Sequence, residues 1–136
     1  MDTMTETPPP GSPAIRTIAM PADTNPAGDI FGGWLMSQMD LAAGNIAALT
    51  ARGRTATVAV EAMKFHRSVK VGDEVSLFAD LMTVGRTSMK IRVEAWRRSR
   101  DSDDSERVTE ATFTFVALDS EGRARPVYNQ PRGKAE

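Results

Sequence analysis

The chain has 136 residues, 40% hydrophobic and 26% charged, which suits one soluble domain with a modest core and leaves little room for a second. Its net charge of −1 offers no overall basic field to a nucleic acid backbone, so no nucleic acid partner is expected and an anionic ligand must meet a local basic patch. The absence of cysteine removes disulfides, thiolate metal sites and cysteine nucleophiles together.

Residues 1–13 carry acidic side chains and a Pro8-Pro9-Pro10-Gly11 run where an export signal would need a basic end and an apolar stretch. That composition predicts a disordered tail, followed by a single domain over 14–127 and a second tail over 128–136. No apolar segment approaches the roughly 20 residues that span a bilayer. A cytoplasmic location without stable membrane association is the expectation.

Residues 15–20 read as a short strand, and residues 21–33 as a structured, turn-rich loop. The spacing of Leu35, Met39, Ala42, Ile46 and Leu49 predicts one helix over 34–51, with Gln38, Asn45 and Arg52 on its polar side. Four β-rich runs follow at 55–66, 74–84, 87–98 and 107–118. In the third, Met89, Ile91, Val93 and Ala95 alternate with Ser88, Lys90, Arg92 and Glu94, as in a strand with one wet face. The turns at Val71-Gly72-Asp73 and Gly85-Arg86 are too short for parallel crossovers. The predicted class is therefore α+β, a single long helix on an antiparallel β-sheet.

His66 is the sole histidine, so one chain cannot build a histidine cluster for a metal, and no serine-nucleophile elbow, P-loop or dinucleotide fingerprint is present. Carboxylate chemistry remains. Asp40 sits between Met36 and Ala43 toward the apolar side of the helix, where it either hydrogen-bonds a neighbouring strand or, desolvated, serves as a base toward water attacking a carbonyl. Upstream, in Gly28-Asp29-Ile30-Phe31-Gly32-Gly33-Trp34, the glycine pair marks the helix start. It is either a flexible entry turn or a place where unpaired amides meet a developing oxyanion. Gly33 and Asp40 are roughly 10 Å apart along a helix, too far for one carbonyl to touch both. If both act on one substrate, the simplest arrangement pairs the glycine end of one subunit with Asp40 of another, which predicts an obligate dimer.

Two basic segments suit phosphates: Lys64-Phe65-His66-Arg67 with Lys70, and Gly85-Arg86-Thr87-Ser88 with Lys90. Either also reads as a solvated strand end. Asp101, Asp103 and Asp104 lack the glycine and distal glutamate of a calcium loop, so no metal is expected.

Ala19-Met20-Pro21-Ala22-Asp23-Thr24-Asn25, then Gly28 through Asp40, then Thr57-Val58-Ala59-Val60, Val71-Gly72-Asp73, Val84-Gly85-Arg86-Thr87-Ser88, Thr112 through Ala117 and Glu121-Gly122-Arg123 together resemble the hotdog-fold acyl-CoA thioesterases, and most of all their bacterial YciA-type branch. The resemblance spans about residues 15–127. It implies a helix wrapped by an antiparallel sheet, with dimers as the minimum unit, often assembled as a trimer of dimers. The implied substrate is acyl-coenzyme A, with no further cofactor.

The implied site residues are Asp40 as catalytic carboxylate, the Gly32 and Gly33 amides on the thioester carbonyl, and Asp29 assisting from the partner subunit. Asn25 and Phe31 would contact substrate. Arg86, Thr87 and Ser88 would hold the nucleotide end of coenzyme A, with Lys64 and Arg67 as further candidates. Phe65-His66-Arg67-Ser68-Val69 departs from the relatives' pattern, which often has a Lys-Pro pair there. The competing readings are an acyl-CoA sensor without turnover and a hotdog dehydratase, which usually leans on a helix histidine that this chain lacks.

Overall fold

A computed structural model of the chain describes residues 6–128; residues 1–5 and 129–136, which include parts of both expected tails, lie outside the described residues. Strand β1 (Ile15–Ile18) leads through a 3-10 turn at Pro21–Asp23 to helix α1 (Gly32–Ala51). Four long strands follow: β2 (Thr55–Phe65), β3 (Glu74–Val84), β4 (Ser88–Arg98) and β5 (Ser105–Ala117). They form one sheet in the order β1-β3-β4-β5-β2, and each neighbouring pair is antiparallel. This is the expected α+β arrangement.

The expected alternation in β4 holds. Met89, Ile91, Val93 and Ala95 are fully buried against α1, joined by Phe113 and Phe115 of β5. The helix face differs in part from the periodicity reading. Leu35, Met39, Ala42, Ala43, Ala47 and Ala51 are buried, whereas Leu49, placed on that face by its spacing, is 68% exposed. Small alanines let the helix approach the sheet closely, and at Gly44 an added Cβ would lie 3.6 Å from the Phe115 ring. A bulkier leucine is turned outward. The helix ends at Arg52 in the left-handed conformation, with φ 57°. Arg125 donates to the Ala51 carbonyl at 2.8 Å, placing a cation at the negative end of the helix dipole.

The two sheet edges are unlike. On one side β1 covers β3 only from Glu74 to Leu77, so Leu81 and Met82 are exposed further along β3. On the other, the whole of β2 is an edge, with Val58 57% and Val60 36% exposed. β2 slips register against β5 twice, and within the second slip Ala62 has φ +56°, a conformation costly for a residue with a Cβ. No helix among the described residues is long and apolar enough to cross a membrane.

After β5 the chain turns at Asp119, whose Oδ1 accepts the amides of Glu121 and Arg123 at 2.8 and 2.9 Å. Those bonds hold its carboxyl below the ordinary carboxylate value of 3.8. A folded-state value lowered in this way adds stability above the ordinary value and loses it as pH falls through the folded one. Asp119→Ala is therefore expected to lower the melting temperature at neutral pH, by an amount that shrinks on acidification. A melting difference independent of pH would contradict this.

Candidate active site

The loop before α1 is shaped by two side chains. Asn25 Oδ1 accepts the amides of Ala27 and Asp29 at 2.9 and 3.1 Å, an Asx turn that presents Asp29 outward. Asp23 Oδ2 accepts the Met20 amide at 3.0 Å, and the Asp23 carbonyl accepts the Phe31 amide at 2.9 Å, which fixes the entry to the helix. Asp29 is ion-paired with Lys70 at 2.6 Å, and Ile30 donates to the Val69 carbonyl at 3.2 Å. The loop is thereby tied to the 65–70 segment.

Between these two segments lies a cleft of about 250 Å³. Asn25, Asp29, Phe31, Gly32 and Arg67 of the expected site residues line it, over apolar walls from Leu35, Phe65, Val69 and Val108. Helix α1 begins here, two residues earlier than its periodicity predicts. Phe31 occupies the cap position without a side-chain hydrogen bond, and first-turn amides have no acceptor within a helix. A Cβ at Gly32 would make ordinary contact with the Phe65 ring, 3.4 Å away, and at Gly33 it would face open space.

Asp40 does not line the cleft. It is half-buried on α1, and its Oδ1 accepts the Thr57 hydroxyl of β2 at 2.6 Å. Of the two alternatives left open by the sequence, the strand hydrogen bond is present. Seven residues of continuous helix separate it from Gly33, roughly 10 Å.

Arg86, Thr87 and Ser88 form the β3–β4 turn, far from the cleft. Thr55 and Ser88 pair with Ala117 and Val116 of β5, whereas Phe65 pairs with Thr109. Eight residues of β5, roughly 26 Å, therefore separate the turn from the cleft within one chain. The backbone carbonyls of Arg86 and Thr87 accept the amides of Val127 and Ala117, at 2.8 and 2.9 Å, which fixes the turn against the end of the chain.

Of the remaining basic candidates, Arg67 and His66 have side-chain partners in the fold. Lys64 is exposed outside the cleft, and its carbonyl accepts the Thr109 hydroxyl. Arg67 donates to the Arg107 carbonyl at 2.6 Å and pairs with Glu6 at 3.1 Å. His66 Nε2 lies 3.2 Å from Glu110. Sequence reasoning missed the role of Thr57, which lies 17 positions from Asp40 and is joined to it only by the packing of α1 on β2.

The chain resembles known proteins in sequence and in fold. Residues 27–102 match the thioesterase superfamily model. An uncharacterized acyl-CoA thioester hydrolase of Zymomonas mobilis is 55% identical over 115 residues, covering 85% of this chain and 77% of that protein. The acyl-CoA thioester hydrolase YciA of Salmonella typhimurium is 48% identical over 130 residues, covering 93% of this chain and 97% of the relative. Among solved structures, a hexameric broad specificity acyl-coenzyme A thioesterase, crystallised as an aspartate-to-alanine mutant enzyme, superposes with a TM-score of 0.84 at 44% identity, covering 92% of each chain. At this level of identity, coverage and superposition, the chain belongs to the thioesterase superfamily, among the hotdog-fold acyl-CoA thioester hydrolases of the YciA type.

Proposed function

We propose that the chain hydrolyses acyl-coenzyme A to a free acid and coenzyme A, at sites shared between two copies of itself. The observation that carries the reading is the separation just described. Asp40, the Gly32–Gly33 amides and the Arg86–Ser88 turn stand too far apart in one chain to serve one substrate. The exposed β2 edge offers a way to join them. A second copy paired antiparallel about the middle of β2, near Val60, sets the Phe65 end of one strand against the Thr55 end of the other. That brings Asp40 with Thr57, and the Arg86–Ser88 turn, of one copy toward the cleft of its partner.

In such a site the thioester oxygen accepts from the first-turn amides at Gly32 and Gly33, where the helix dipole favours the negative charge it gains. Asp40 takes a proton from water as the water oxygen bonds to the carbonyl carbon. The C–S bond then breaks, and the thiolate of coenzyme A leaves and takes up a proton. Alternatively Asp40 attacks directly, giving a mixed anhydride that water opens. Asp29 assists from the glycine end, steadied by Lys70. Arg86, Thr87 and Ser88 hold the nucleotide end, with two hydroxyls and one guanidinium for the phosphates. The hexameric state of the superposed thioesterase supports a trimer of such dimers here.

The test is thiol release from acyl-CoAs of graded chain length, with gel filtration of the same preparation. Thiol release by a dimer or larger assembly is expected. No release from any acyl-CoA overturns the hydrolase reading, and full activity in a stable monomer overturns the shared site.

A further inference from the structure

Arg67 is the guanidinium that lines the cleft, yet the start of the chain neutralises it. One oxygen of Glu6 receives both the Arg67 Nη1 contact and the backbone amide of Arg107, each at 3.1 Å. Glu106 adds a more distant carboxylate at 3.9 Å, and the Arg107 carbonyl takes the remaining strong bond. The Glu6 side chain is only 23% exposed, so the pair is partly shielded from solvent. Thr7 and Pro9 continue the segment beside Trp96 on the sheet surface. The Pro8-Pro9-Pro10 run is stiff, which lowers the entropy lost in holding Glu6 in place.

We propose that Glu6 is a specificity-determining residue of the site: by holding Arg67 at the rim of the cleft, it weakens the grip on the phosphates of the ligand without touching the reacting carbonyl. The inference rests on the reading that the site takes acyl-CoA. Arg67, the cation of the cleft lining, is matched by Glu6, and the lining carboxylate Asp29 is matched by Lys70. Removing the Glu6 charge leaves the Arg67 guanidinium with a surplus that an approaching polyanion can use. The carboxylate and the phosphates compete for one donor set, so the segment that carries Glu6 sets the affinity for substrate and for the coenzyme A product in the same direction.

The experiment compares Glu6→Gln with the unchanged full-length chain on two substrates: an acyl-CoA, and the same acyl group on N-acetylcysteamine, which has a thioester but no phosphate. For the acyl-CoA, KM is expected to fall about threefold in low salt with kcat nearly constant, the size of one partly exposed charge pair. The shift should fade as salt is raised. The phosphate-free thioester should show no change, and in an Arg67→Gln background Glu6→Gln should have no further effect. An unchanged or raised KM for acyl-CoA, or equal shifts on both substrates, overturns the role of Glu6 while the hydrolase reading stands. Failure of the unsubstituted chain to release thiol from acyl-CoA overturns both.

Discussion

Replacing Asp40 by asparagine is expected to lower kcat for thiol release by about 10²- to 10⁴-fold, the usual contribution of a positioned acid or base. The variant keeps the size of the side chain and an oxygen able to accept from the Thr57 hydroxyl, which holds Asp40 at 2.6 Å. Folding should be preserved, with a melting temperature near that of the unchanged protein. KM should move little, because the residue acts on water and not on the nucleotide. The substitution removes the negative charge, and with it the capacity to take a proton or to attack a carbonyl. Steady-state thiol release, with thermal melting as control, decides the matter: more than a tenth of the original kcat would remove Asp40 from the catalytic role.

A lysine at Val60, or at Val58, is expected to yield a folded monomer that has lost at least about 99% of its activity. In the isolated chain these side chains are 36% and 57% exposed, and a surface substitution costs the protomer about 0.5 kcal/mol or less. In the paired edge the outcome is different. Lysines at Val60, on the axis of that pairing, face each other in a partly desolvated position, where like charges cost several kcal/mol of association, and a lysine at Val58 is carried into the same edge, where it loses solvent without gaining an opposite charge. Because the cleft and the Arg86–Ser88 turn are roughly 26 Å apart in one chain, a monomer is expected to lack a complete site. Sedimentation, circular dichroism and thiol release on the same sample test this; a dimer with undiminished turnover would place the subunit contact elsewhere.

Much of the fold is legible in the residues because hydrophobic period and short turns both specify it. The run from Met89 to Ala95 alternates cleanly since one face is buried and the other wet. The turn at Gly85-Arg86 leaves room only for an antiparallel neighbour. The helix start is less visible: Gly32 and Gly33 are poor helix formers, and Phe31 is no ordinary cap, so the periodicity shows itself only from Trp34 onward. Leu49 misleads for a related reason, since hydrophobicity ranks it above the alanines that close packing favours.

The candidate site is legible as residue types but not as a constellation. Asp40, the glycine pair and Arg86–Ser88 stand out by kind and by resemblance. The Thr57 bond depends on which strand the helix crosses, and the engagement of Arg67 depends on a glutamate 61 positions away in a segment expected to be disordered. Neither relation leaves a local trace in the sequence.

The midpoint of β2 and its two ends are under different rules. In the proposed pairing every change near Val60 meets its own copy, so tolerated side chains must be good company for themselves. At Thr55 and Phe65 the chain faces unlike neighbours in the proposed pairing, and a change at one end need not suit itself. Substitutions meant to shift substrate preference are then expected to be tolerated best at the rims of the proposed strand pair, where they do not have to suit a second copy of themselves.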